Sequence, residues 1–223
     1  MSGLYLALDT ATDAPTLALG TPEAPGADLR IASRRDLSRE IESAVGRLLA
    51  ERGAAVAGLD GVVVADGPGS FTGLRIGIAF AKGLCRAAAL PLLAAPSLLG
   101  AAWTASRGAG VALVEFDALR GDVYRAAYRF GRDGIEVLLP PGLAAAGAPV
   151  DLPSERVRAT AEHASAASLL RLIGVAGGPR RVADAAGWEP VYGRPAEAEA
   201  RYRARGGLGV SAAGGANDGF GGR

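Results

Sequence analysis

Val62-Val63-Val64-Ala65 runs directly into Asp66-Gly67-Pro68-Gly69-Ser70-Phe71-Thr72-Gly73, and that loop into a long apolar segment reaching Ala89. A buried-type strand, a glycine turn and a helix in this order restrict the chain to α/β architectures, because strand and helix must bury their apolar faces against one another. Glycines at a strand end let the backbone turn sharply, and N–H groups at the start of the following helix attract anions. Gly67, Gly69, Ser70 and Thr72 are therefore candidate nucleotide contacts. The loop is neither a Walker phosphate loop, lacking the Lys-Ser/Thr pair, nor a dinucleotide fingerprint, lacking its glycine spacing. The ordinary alternative is a tight strand-to-helix turn in which Ser70 or Thr72 caps the helix.

The flanking residues extend the same pattern. Leu4 to Leu8 is an apolar run ending in Asp9; Thr10-Ala11-Thr12-Asp13 reads as a turn and Pro15 to Leu19 as the returning strand of a hairpin. A third strand is expected within Ala27 to Ser33. Leu37, Ile41, Val45, Leu48 and Leu49 recur at helical spacing, predicting an amphipathic helix over Leu37–Arg52 with Gly53 as its stop. Leu92 to Ala94 reads as a strand, and Ser97 to Ser106 as a helix with Ser97 at its N-cap. The order β-β-β-α-β-α-β-α fits a lobe built on a mixed sheet. Asp9 and Asp66 close two neighbouring strands, where open α/β sheets hold ligands, so a carboxylate pair for Mg²⁺ and nucleotide is one reading. The other is an Asp9 side chain accepting hydrogen bonds from the Thr10 and Thr12 turn.

After Arg107-Gly108-Ala109-Gly110 a second set of strands follows, Val111 to Phe116, Asp122 to Phe130 and Ile135 to Leu139, with short helices expected over Ser165–Ile173 and Pro179–Ala186. The chain thus divides into a lobe over 1–106, a smaller lobe over 107–205, and a Gly-rich tail over 206–223 that is expected to be disordered.

The 223 residues are 49% apolar, enough for a sizeable core, and the net charge of +1 leaves no broad basic surface for a nucleic-acid backbone. Cys85 is the sole cysteine, which excludes an intrachain disulfide and a cysteine cluster, and within an apolar helix it reads as core. His163 is the sole histidine and sits in a polar, Ala/Ser-rich segment that reads as surface. The isolated Trp103 and Trp188 form no base-stacking platform. The first residues lack a basic leader, and apolar runs elsewhere stop short of the roughly 20 residues a bilayer requires, so a soluble, cytoplasmic chain is expected. Gly73, Gly77 and Ala81 recur every four residues on one face of the helix that also carries Leu74, Ile76, Ile78 and Phe80. This helix is apolar on more than one face, and its small row would admit a second helix closely.

GPGSFTGLRIGIAFAKGL, residues 67 to 84, closely resembles the GPGSFTG-(L/V)-RIG signature of the TsaB (YeaZ) family. Leu6-Ala7-Leu8-Asp9-Thr10-Ala11-Thr12 resembles the family's ALDTAT start, Asp117 to Tyr124 its DARxGEVY turn, and Pro190-Val191-Tyr192-Gly193-Arg194 its PxYLR segment. The likeness runs over about residues 3 to 205. It departs at Leu37, where the family often has histidine; at Arg120, displaced from the DAR arginine; and at Gly193, in place of leucine.

The resemblance implies an actin/RNase H-like (ASKHA) α/β fold of two lobes, each on a mixed sheet with flanking helices. It also implies a non-catalytic scaffold subunit in the formation of threonylcarbamoyladenosine at position 37 of tRNA. The partners would be a TsaD-like catalytic subunit and a TsaE-like ATPase, with a homodimer in isolation and tRNA reached only through the complex. The catalytic paralogue holds its metal with a His-x-x-x-His pair, and the matching positions here are Ser97 and Ala101, so neither metal nor cofactor is expected. The association surface is expected on the helices Leu37–Arg52 and Phe71–Ala89, through Leu37, Ile41, Val45, Gly73, Leu74, Gly77, Ile78 and Ala81. The competing readings are an actin-fold ATPase or kinase using Asp9, Asp66 and the glycine loop, a glycoprotease-like enzyme, and a nucleotide-sensing module.

Overall fold

Each apolar run predicted as a strand in the first hundred residues pairs as one in the computed structural model, which is described here over residues 3–193. The Gly-rich tail and Arg194 lie outside the described residues. Strands β1 (Tyr5–Asp9) and β2 (Thr16–Gly20) form the expected antiparallel hairpin, with Asp9 opposite Thr16. The third strand shrinks to β3 (Leu29–Arg30) against β2. Strands β4 (Gly61–Ala65) and β5 (Leu92–Ala95) run parallel to β1 and to each other. Helices α1 (Leu37–Arg52), α2 (Phe71–Ala88) and α3 (Ser97–Ser106) follow the predicted spans. Gly53 stops α1 in the left-handed conformation, its N–H donating to the Ala50 and Leu49 carbonyls.

The second sheet is built from β6 (Gly110–Asp117), β7 (Asp122–Gly131), β8 (Gly134–Ala145) and β9 (Val157–Ala159), in the order β8-β7-β6-β9. β8 outruns its predicted end at Leu139 and passes through Pro140 and Pro141, which an edge strand tolerates because its outer N–H groups have no ladder partner. Helix α4 (Ala166–Arg171) is capped by Ser165, whose Oγ accepts from the Ser168 N–H.

The helix expected over Pro179–Ala186 does not form. Arg180–Arg181 is instead strand β10, antiparallel to β5, which completes the first sheet as β10-β5-β4-β1-β2-β3. Ladder bonds to an otherwise open edge outweigh a weak local helical preference. The Asp184 carboxylate then accepts from the Ala186 and Gly187 N–H groups and turns the chain.

Alternation along β1 and β4 divides their side chains between two cores. Leu6, Leu8, Val62 and Val64 meet α1 and α2; Tyr5, Ala7, Val63 and Ala65 meet α3, α4 and the second sheet. Both faces of these strands are covered, which is why they read as continuous apolar runs. Among the described residues no helix is long and apolar enough to cross a membrane.

Candidate functional site

Because β1 and β4 are parallel neighbours, Asp9 and Asp66 emerge side by side at their C-terminal ends, as the sequence suggested. Asp9 is 1% exposed; its Oδ1 accepts from the Ala11 N–H at 3.2 Å, while Oδ2 is buried without a partner. Burial pushes this carboxyl up to about 7, against the opposing pull of the Ala11 hydrogen bond, with the Asp28 charge adding to the rise and Arg30 opposing it. The expected bonds from Thr10 and Thr12 are not the ones formed: the Thr12 hydroxyl donates to the Ala14 carbonyl at 3.3 Å. Asp66 is also buried, and its Oδ2 accepts from Arg180 Nη2 at 2.7 Å. Burial raises its pKa and the guanidinium opposes that rise.

The glycine loop spends much of its polarity inside the chain. The Gly67 N–H donates to Ser97 Oγ at 2.8 Å and the Gly67 carbonyl accepts from the Ser97 N–H at 2.9 Å. Ser97 is thus the first residue of α3 and not its cap, a correction with a clear cause: its hydroxyl is committed to the neighbouring loop, and Pro96 precedes the helix. The Ser70 N–H donates to the Ala11 carbonyl at 2.7 Å. Ser70 caps α2, accepting from the Gly73 N–H at 3.2 Å and from Arg34 Nη1 at 2.8 Å. Thr72 is exposed and is not the cap. Gly67 has φ +104°, and a Cβ there would strike the Val191 carbonyl; one at Gly69 would lie 2.6 Å from the Ala11 carbonyl oxygen. The glycines let the loop nest between the β1–β2 turn, α3 and the C-terminal segment. The N–H groups of Gly67, Ser70 and Gly73, candidate anion donors, are already paired.

Residues 188–193 lie across this loop. The Val191 N–H donates to the Asp66 carbonyl at 2.8 Å, the Tyr192 ring packs on Phe71 at 4.7 Å between centroids, and the Tyr124 hydroxyl donates to the Tyr192 carbonyl at 3.4 Å. Gly193 has φ +77°, and a Cβ there would sit 2.5 Å from the Tyr124 ring, which accounts for glycine at this departure from the family pattern. Arg34, Arg180, Val191 and Tyr192 were not found as members of this site from sequence. Their partners lie far along the chain, as with Arg180 and Asp66, separated by 114 residues, and no local signal marks such a pair.

The proposed association residues need correction. Leu37, Ile41, Val45, Leu74, Ile78 and Ala81 are all buried in the core under α1 and α2. Gly73 abuts the Thr10 carbonyl and Gly77 the Thr10 side chain, so the small row admits the chain's own β1–β2 turn and not a foreign helix. The outward side of α2 carries exposed Ala79 and Gly83 beside half-buried Ile76, Phe80 and Leu84.

Cys85 is buried, and desolvation raises its thiol to about 11. His163 closes a 3-10 turn, its Nδ1 accepting from the Thr160 N–H at 3.2 Å. Ala101 is fully buried, and among the described residues no three His, Cys, Asp or Glu side chains gather to hold a metal ion.

The family model described as TsaD, tRNA N6-adenosine threonylcarbamoyltransferase, matches residues 30–177. The tRNA threonylcarbamoyladenosine biosynthesis protein TsaB of Escherichia coli K12 is 37% identical over 132 residues, 58% of this chain and 57% of that protein. Its Bacillus subtilis counterpart is 33% identical over 135 residues, 60% and 59% of the two chains. The chain therefore spans less than two thirds of the length of these relatives. The solved structure of YeaZ from Pseudomonas aeruginosa superposes with a TM-score of 0.73 at 26% identity, covering 85% of this chain and 99% of YeaZ. A fold shared along nearly all of YeaZ, on a sequence related to two TsaB proteins, means that the chain belongs to the TsaB (YeaZ) family.

Proposed function

We propose that this protein is a cytoplasmic, non-catalytic scaffold subunit in tRNA threonylcarbamoyladenosine formation, working with a TsaD-like catalytic subunit and a TsaE-like ATPase and pairing with itself in isolation. The observation that carries the non-catalytic reading is the fate of the two positions that match the paralogue's metal histidines. Ser97 spends its hydroxyl on the Gly67 N–H, and Ala101 is sealed in the core. Neither position offers a metal a ligand that is free to bind. The alternative of a nucleotide-hydrolysing enzyme is less well supported, since Asp66 is paired with Arg180 and the loop is crossed by residues 188–193. Association is assigned to the outward side of the α1 and α2 layer, where Ile76, Phe80 and Leu84 remain partly open beside the small Ala79 and Gly83.

The test is reconstitution of tRNA modification from purified subunits, omitting each in turn. Modification is expected only when both this chain and the TsaD-like subunit are present, with no transfer by this chain alone. Transfer or peptide cleavage by the pure chain, or full activity without it, would show the reading to be wrong.

A further inference from the structure

The start of α4 is fastened to the first sheet by side chains. The Ala166 N–H donates to Thr16 Oγ1 at 3.0 Å and the Ala167 N–H to Asp28 Oδ1 at 2.9 Å. The first N–H groups of a helix have no partner inside it, and here two of them are satisfied by residues 150 and 139 positions earlier in the chain. Thr16 is also the register partner of Asp9. Directly opposed residues of an antiparallel pair share a face, their Cβ atoms about 5 Å apart. Alternation puts Asp9 on the same side of β1 as Tyr5 and Ala7, the side on which α4 packs. Asp9 Oδ2 is thus a third polar atom at this seam, and it is buried without a partner.

We propose that Asp9 is a proton-linked latch between the first sheet and α4: when the seam parts, water reaches Oδ2, the carboxyl ionises and its proton passes to solvent. Acid holds the seam shut, and neutral pH loosens it. An ionised carboxylate buried with an unpaired oxygen is costly, and relief comes from the neighbour that yields most easily. β1 is fixed by β2 and β4 on its two edges and by the core under α1 and α2 on its other face. Helix α4 has only six residues, and parting it breaks the two bonds at its start. The surrounding charges do not replace the missing partner. Asp28 disfavours ionisation of Asp9, and Arg30, which favours it, is exposed. Beyond β4, Asp66 is paired with Arg180, and in the β1–β2 turn Asp13 is paired with Arg34. The one charged residue of α4 is Arg171, exposed in its last turn, and α3 carries none. His163, ahead of α4, is turned to Thr160, and burial raises the Tyr128 phenol of β7, which stays neutral. The cations of α2 belong to the helix on the opposite face.

The closed seam releases this proton near 7 and an open one near 3.8. Opening should therefore grow about tenfold per pH unit between those values and level off above them. The experiment is amide hydrogen exchange of the full chain, read by NMR from about pH 5 to about pH 8, with each rate corrected for the intrinsic rate at that pH. The Ala166 and Ala167 amides are expected to exchange by local opening, faster than the core amides of β6 and β7. Their protection should fall about a hundredfold from about pH 5 to about pH 7 and then hold steady, and Asp9→Asn should abolish the fall. Protection in the wild type that does not change with pH, or a fall that survives in Asp9→Asn, would overturn the latch. So would α4 amides as protected as the core, since only unfolding of the whole chain would then release them. If Asp9→Asn does not fold, Asp28→Asn decides: a retained fall leaves Asp9 as its source, and a lost fall assigns it to Asp28 and overturns the proposal.

Discussion

Asp9 is a buried acid with one oxygen unpaired, and that gives stability a pH dependence of definite sign. The unfolded chain releases this proton near 3.8 and the folded chain near 7. Between those values the folded state holds the extra proton, so this residue's contribution to stability falls as pH rises and levels off above about 7. At about 1.4 kcal/mol per unit, the full effect is on the order of 4 kcal/mol. Asp9→Asn should lack this slope, gaining on wild type from pH 4 to 7 in urea titrations; parallel curves would mean that Asp9 is ionised without penalty. Gly77 is constrained by contact alone: a Cβ would fall on the Thr10 hydroxyl. Gly77→Ala should cost about 1–3 kcal/mol by overpacking, lowering the melting temperature by several degrees. An unchanged melting temperature would show that the β1–β2 turn can yield.

Secondary-structure elements are tied together by a few polar contacts of unequal worth. On the second sheet Arg125 bridges β7 to β6 by its Nε–H bond to Glu115 at 2.7 Å, and to residues 146–153 by donating to the Ala148 carbonyl at 2.9 Å. The Arg125 side chain is only 6% exposed, whereas Arg158, 3.4 Å from the other Glu115 oxygen, is 70% exposed. Burial decides the outcome. Arg125→Ala leaves Glu115, itself 21% exposed, with only the exposed Arg158 beside it, and takes the donor from the Ala148 carbonyl, and should cost about 1–3 kcal/mol. Arg158→Ala should change stability by less than about 0.5 kcal/mol. Equal losses in denaturant unfolding would refute the ranking. Helix spans were legible because their periodicity is local; the failed helix at Pro179–Ala186 lost to an open sheet edge that its own residues do not announce.

Across the molecule, the two sheets share one core in which Leu98, Leu99, Ala101 and Ala102 of α3 take part, with α3 packed on β6, β7 and α4, and α4 in turn on β1, β2 and β4. The chain also returns to the first sheet after building the second. The Ala166 N–H at the start of α4 donates to Thr16 Oγ1 at 3.0 Å, and β10 pairs with β5. We therefore expect residues 1–193 to unfold in a single calorimetric transition, and a fragment ending at residue 106 to lack a fixed tertiary structure, because α3 would lose half its cover. Native-like NMR dispersion from that fragment would show the first lobe to be independent.

The α/β class, α1 with its Gly53 stop, the strand, loop and helix around Gly67, and the core position of Cys85 all follow from periodicity and turn chemistry, which act over a few residues. The family likeness rests on equally local motifs. What covers each apolar face was decided only by tertiary packing: the spacing of Gly73, Gly77 and Ala81 shows that something approaches α2 closely, but not that Thr10 of the same chain does so. The pairing of Asp66 with Arg180, the commitment of Ser97 to Gly67 and the crossing of the loop by Val191 belong to the same class. Their partners are distant in sequence, and local patterning records that a group is buried without recording what it meets.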